Sequence, residues 1–162
     1  MSHKKLLIIL ALFLIVALLI CLLPWPTRIN TTLSGTGYRS ATSPGSPATV
    51  KLTGWYLNYL FLEDELHLEV EVPNVCSDGT AIRIDSAHSW QWPEAEFWRV
   101  GGMGYDKDIN GFIAFSMCLS PDFSQCLVTN FKGFDYIAAS VSGDVTLESL
   151  FAQFPMYAPQ ED

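Results

Sequence analysis

Positive charge is scarce. Nine Lys and Arg face seventeen Asp and Glu in 162 residues, for a formal net charge of −8. Two of the nine, Lys4 and Lys5, precede the first apolar run, and every acid follows it. The remainder therefore carries about −10, which disfavours nucleic acid and adhesion to an anionic surface. Histidine is scarce too. His67 and His88 are the two beyond the leading segment, and each reads as a solvated residue. There is no Gly-x-Ser-x-Gly elbow and no Cys-Gly-Ser-Cys signature, so nucleophilic catalysis has no sequence support. "GGMG" at 101–104 lacks the Lys-Ser or Lys-Thr of a phosphate loop. Cysteine is limited to Cys21, Cys76, Cys118 and Cys126, with no C-x-x-C knuckle for zinc.

Apolar length is plentiful at the front. Leu6 to Leu23, "LLIILALFLIVALLICLL", is an uncharged run of 18 residues. As a helix it spans about 27 Å, close to the hydrocarbon thickness of a bilayer. The basic flank Lys4-Lys5 predicts a cytoplasmic stub over 1–5, a transmembrane helix over 6–23 and an extracytoplasmic remainder. No A-x-A-like site follows Ile15, which disfavours a cleaved signal peptide. Ile20 before Cys21 is not small, which disfavours a lipid-modified cysteine.

Residues 24–48 are rich in Ser, Thr, Gly and Pro and predict a flexible linker. A domain over 49–157 and a tail over 158–162 follow. "KLTGWYLNYLFLEDELHLEVEV" alternates with period two. A four-residue loop over 62–65 sets Phe61 opposite Leu66, Tyr59 opposite Leu68, Leu57 opposite Val70 and Trp55 opposite Val72. These form the core face. Tyr56, Asn58, His67, Glu69 and Glu71 form the wet face. "AIRID" at 81–85 and a stretch around 96–100 predict further strands. So do 111–119 with 125–131, as a hairpin, and the stretch from Phe134. Leu147, Leu150, Phe151 and Phe154 form the stripe of an amphipathic helix, capped by Asp144 or Thr146 and ended by Pro155. The fold class is α+β: a mostly antiparallel roll or sheet of about six strands with one short C-terminal helix.

Three constellations carry possible chemistry. "SWQWPEAEFW" places Trp90, Trp92 and Glu94 as a ligand-binding candidate, because flat rings stack on sugars and carboxylates accept from hydroxyls. "DKDINGFI" resembles the first eight positions of an EF-hand loop, with Asp106, Asp108 and Asn110 as oxygen donors for calcium. Met117 stands where the bidentate Glu belongs, and the flanks read as strands, so a polar β-turn competes with this reading. Cys118 and Cys126 flank "LSPDFSQ". A three-residue loop would set them face to face, and a disulfide and two buried thiols are both compatible with the spacing.

Gly54, Tyr56, Tyr59, Leu60, Phe61 and Asp64, the hub "SPDFS" at 120–124 and the closing "YIAASVSGDVTLESLFAQF" carry a resemblance. The pattern is similar to small membrane-anchored or exported β-domain proteins of Gram-positive bacteria. The resemblance implies topology and an envelope location and carries over no site residue. The expected function is non-catalytic binding at the cell envelope, to an envelope protein or a glycan, with no obligatory cofactor. The alternatives are a calcium-stabilised domain and a minor envelope hydrolase.

Overall fold

The computed structural model describes residues 3–60, 64–73, 81–92, 95–106, 111–131 and 133–159. Side chains within these are described except at 3, 6, 81–92, 95–96, 103–106 and 111–113. The first element is a helix, α1, His3–Leu22. Eight strands follow: β1 Trp25–Tyr38, β2 Ser46–Asn58, β3 Glu65–Glu71, β4 Ala81–Trp92, β5 Ala95–Asp106, β6 Gly111–Leu119, β7 Gln125–Phe131 and β8 Phe134–Ser140. A short helix, α2, Leu147–Gln153, and a 3-10 turn, Pro155–Tyr157, end the chain. Each strand pairs antiparallel with the next, and β8 returns to β1, so the sheet closes into an up-and-down barrel.

The antiparallel, β-rich α+β character expected from the sequence is what is found. The described residues hold eight strands, one of them in the stretch read as a linker. Residues 25–38 form β1 and 46–48 begin β2, paired from Trp25↔Asn58 to Gly37↔Ser46. This corrects the reading of 24–48 as a spacer. Its inward residues Ile29 and Leu33 are buried, and its small residues are needed where the barrel closes. A Cβ on Gly35 would lie 1.9 Å from the Ala138 carbonyl oxygen, so β1 and β8 meet only because that position is bare.

The β2–β3 register also differs from expectation. Gly54 pairs with Leu68 and Tyr56 with Leu66. Alternation has period two, so the inward row of β2 is Ala48, Val50 and Leu52 rather than Trp55 and Leu57. Trp55 is 49% exposed, and Tyr56, assigned to the wet face, packs on the core. The cause is a longer connection, held by Asp64. Its Oδ2 accepts from Tyr56 Oη at 2.6 Å and from Asn58 Nδ2 at 3.3 Å. Its Oδ1 accepts from the Tyr59 amide at 2.9 Å. Phe61 lies outside the described residues. On β3 the expected alternation stands: Leu66, Leu68 and Val70 are buried between partly exposed Glu65, His67, Glu69 and Glu71.

The barrel interior is filled. Leu33, Leu52, Leu66, Leu68, Val100, Met117 and Ile137 are among its fully buried side chains. A second apolar layer lies outside the far wall. There α2 sets Leu147, Leu150 and Phe154 on Phe97, Cys118, Leu127 and Ala138. The Phe97 and Phe154 rings meet edge to face at 5.2 Å. Thr146 caps α2, with the Ser149 amide donating to its Oγ1 at 3.1 Å and the Ser149 hydroxyl completing the box. Helix extent, stripe and cap follow the sequence reading. Strands under α2 are buried on both faces, whereas β3, with no described residue packed over its outer face, alternates.

The large apolar residues of α1 are exposed, from 48% at Leu22 to 70% at Phe13. Among the described residues no helix is long and apolar enough to cross a membrane. The helical backbone itself runs 20 residues.

Candidate functional site

The wall opposite α2 carries the most functional chemistry. Outward residues of β1, β2 and β3 stand in rows fixed by the register. Arg28, Trp55 and His67 form the first row, Asn30, Thr53 and Glu69 the second, and Thr32, Lys51 and Glu71 the third. Cross-strand neighbours on one face lie about 5 Å apart between Cβ atoms. An open concavity of about 580 Å³ lies over the first two rows, with Ile29, Gly54 and Leu68 between them. Gly54 is required there: a Cβ on it would lie 1.9 Å from the His67 carbonyl oxygen. Any side chain would force β2 and β3 apart beneath the site.

Trp55 is the one large exposed ring in this concavity. Its register neighbours are a guanidinium and an imidazole, and the second row supplies an amide, a hydroxyl and a carboxylate. Lys51 Nζ and Glu71 Oε2 are paired at 3.0 Å, both part-exposed, so this bridge contributes at most about 1 kcal/mol. His67 Nε2 lies 3.4 Å from Glu65 Oε2. Across from His67 the β3–β4 ladder shifts register. Leu66 pairs with Ala87 and Leu68 with Ile84, so β4 carries one extra residue. Such bulges turn a strand and re-aim the neighbouring side chains. Arg28 and Lys51 are set against Glu65, Glu69 and Glu71, so the face has no excess of positive charge. It suits a neutral polar ligand better than an anion.

A second cavity, about 490 Å³, lies beside α2 between Arg99, Ser116, Thr129, Asp135 and Tyr157. Ser116 Oγ is 2.8 Å from Tyr157 Oη, and the Arg99 guanidinium lies over the Tyr157 ring at 5.9 Å. Burial raises the Tyr157 phenol pKa. These contacts fasten the C-terminal turn to the barrel.

The residues expected to carry function fall elsewhere. Trp90 and Trp92 are on β4, paired with Phe97 and Ala95, and their side chains lie outside those described. Glu94 lies outside the described residues, as do Asp108, Asn110 and Cys76. Asp106 ends β5 and pairs with Gly111 at the start of β6. The "DKDING" segment is flanked by strands as expected, and residues 107–110 lie outside the described residues. Among the described residues no three metal-donor side chains come together.

The open question at Cys118 and Cys126 is settled by register. Cys118 pairs with Leu127 and Leu119 with Cys126, so the two sulfurs belong to opposite faces of the sheet. Both are free. The face-to-face arrangement expected from a three-residue loop is replaced by a turn over Ser120–Ser124. There Asp122 Oδ1 accepts from the Ser120 and Ser124 hydroxyls at 2.6 and 2.8 Å. Phe123 adopts a left-handed φ of 58°.

The histidines, scattered in sequence, are neighbours in the sheet, since His88 pairs with Glu65, two residues from His67. Sequence reasoning put Trp55 on the core face, set His67 and Glu69 on the wet face without a ligand role, and gave none to Arg28, Asn30 or Thr53. The usable signal was Gly54, a glycine inside a period-two run, which marks a close approach of backbones. No protein-family model, no curated protein and no solved structure matches the chain.

Proposed function

We propose that this chain is a membrane-anchored, extracytoplasmic binding module that takes a neutral glycan on the outer face of β1–β3, without catalysing its turnover. The observation that carries the reading is Trp55: a ring 49% exposed on a sheet face, flanked by Arg28 and His67 across the strands. Monomeric domains tend to bury such rings, and an indole face stacks on the apolar face of a pyranose while nearby polar groups take its hydroxyls. Asn30, Thr53 and Glu69 supply donors and acceptors at the next row. The anchor rests on α1 and on the uncharged run Leu6–Leu23 behind Lys4 and Lys5.

The test is a titration of the full chain, held in detergent micelles, with soluble neutral oligosaccharides of glucose and of N-acetylglucosamine. The expected result is saturable quenching or enhancement of tryptophan emission. Trp55→Ala should weaken binding at least about tenfold, equivalent to 1.4 kcal/mol, while leaving the fold's circular dichroism intact. Equal affinity in wild type and Trp55→Ala, or no saturable binding of either sugar series, overturns the reading.

A further inference from the structure

Strand direction alternates around the barrel, so one end collects the start of β1 and the β2–β3, β4–β5 and β6–β7 connections, together with the exit from β8. It is also the end at which α1 joins. Among the described residues beyond Leu23, four large apolar side chains are exposed: Trp25 at 64%, Trp55 at 49%, Leu60 at 60% and Val141 at 60%. Trp25, Leu60 and Val141 sit at this end, and Trp55 is on the outer wall close to it. Trp25 opens β1, and Leu60 is in the β2–β3 connection. Val141 follows β8 and donates its amide to Ser124 of the β6–β7 turn, and Trp55 stands three residues from the end of β2. At the opposite end the described turn between β1 and β2 contributes none to this set, and the β3–β4 and β5–β6 connections there lie outside the described residues.

We infer that this end of the barrel is seated in the headgroup zone of the lipid bilayer, with Trp25 and Leu60 as its contacts. The inference rests on the reading of α1 as an anchor. Leu23 and Pro24 alone separate α1 from β1. The three steps from Leu22 to Trp25 reach at most about 11 Å even when fully extended, so the rim cannot stand clear of whatever surface holds α1. An apolar, aromatic rim forced to that depth matches the interfacial belt, where tryptophan is favoured. The chain is acidic, with Asp64 and Glu65 near the rim, so the contact is apolar and does not need anionic lipid.

The experiment places a nitroxide on Leu60→Cys or, at the far end, on exposed Thr42→Cys. Both use the full chain carrying Cys21→Ala and Cys76→Ala, in phosphatidylcholine nanodiscs. Collisional relaxation is compared for oxygen, which partitions into lipid, and an aqueous nickel chelate. The Leu60 label should be several-fold less accessible to nickel than the Thr42 label, with the order reversed for oxygen. Phosphatidylcholine vesicles carrying the same chain are washed with alkaline carbonate in parallel. Equal nickel accessibility at both sites, with the chain retained after the wash, overturns the seated rim while leaving the anchor in place. Release of the chain by the wash overturns the anchor reading, and the seat with it.

Discussion

Cys126 is fully buried inside the barrel, and Cys118 is buried beneath α2 on the other side of the same sheet wall. Burial pushes the Cys126 thiol up to about 12. It pushes Cys118 up to about 11, with Tyr157 and Arg99 acting the other way. An unfolded thiol titrates near 8.5, so the folded chain holds both protons to higher pH than the unfolded chain does. The stability this contributes is complete below about pH 8.5 and is lost as pH rises through 11 and 12. The urea midpoint should therefore fall steadily above pH 9. Iodoacetamide at pH 8 should leave both residues unmodified until denaturant is added, as read by mass mapping of tryptic peptides. Modification at rates typical of a free thiol would contradict their burial.

Register is set at this scale too, and it explains what the sequence could not show. Period-two alternation is visible on β3, where every second residue is apolar. On β2 both rows carry large side chains, Trp55 and Leu57 on one and Leu52 and Tyr56 on the other, so alternation alone does not choose the inner row. The choice is made by Asp64, through three hydrogen bonds to Tyr56, Asn58 and Tyr59. Those contacts exist only once the turn has formed. The candidate site was illegible for the same reason: Trp55 stands on the outer face only in the register that Asp64 holds.

Among the elements, α2 was the most legible. A helix stripe, a cap and a proline stop are local signals, and Thr146, Leu147, Leu150, Phe154 and Pro155 supply them in order. The cap is a reciprocal one between Thr146 and Ser149, so Thr146→Ala should cost about 1 kcal/mol. The effect is measurable as a lowered urea midpoint at unchanged m. Because α2 covers the outer faces of β6, β7 and β8, that loss should be felt by the whole barrel. A change in m instead would mean that α2 frays independently. The least legible element was β1. Its Ser, Thr and Gly content looks like a spacer, yet β-branched Thr27, Thr31, Thr32 and Thr36 suit a strand. Its glycines are imposed by crowding: the Phe134 ring lies 2.7 Å from where a Cβ of Gly37 would be. Composition registers the missing bulk, but only the folded barrel shows that a neighbour occupies the space.

For the molecule as a whole, closure is the decisive property. An open antiparallel sheet leaves two edges to be managed, and a closed one leaves none. Closure here passes through Gly35, where the β1 and β8 backbones touch. Gly35→Val should destabilise the domain by at least about 3 kcal/mol, since neither backbone can yield without losing ladder hydrogen bonds. Gly101→Ala is the control. Its Cβ would meet nothing nearer than 3.9 Å, and its cost should stay under about 1 kcal/mol. Both are read from urea unfolding of the full chain. Similar losses in the two variants would mean that closure at Gly35 is not the point of strain.

Because the spacer is a strand, α1 and Trp55 are joined by a short mechanical path. Tension between α1 and a ligand on Trp55 enters the barrel at Trp25 and leaves it at the neighbouring strand. Between them lie the register pairs Trp25↔Asn58, Pro26↔Leu57, Thr27↔Tyr56 and Arg28↔Trp55. The path runs through this part of the β1–β2 ladder and does not cross the filled interior or the Gly35 seam. A pull on α1 is therefore felt first at the Trp25↔Asn58 pair, the one nearest the rim.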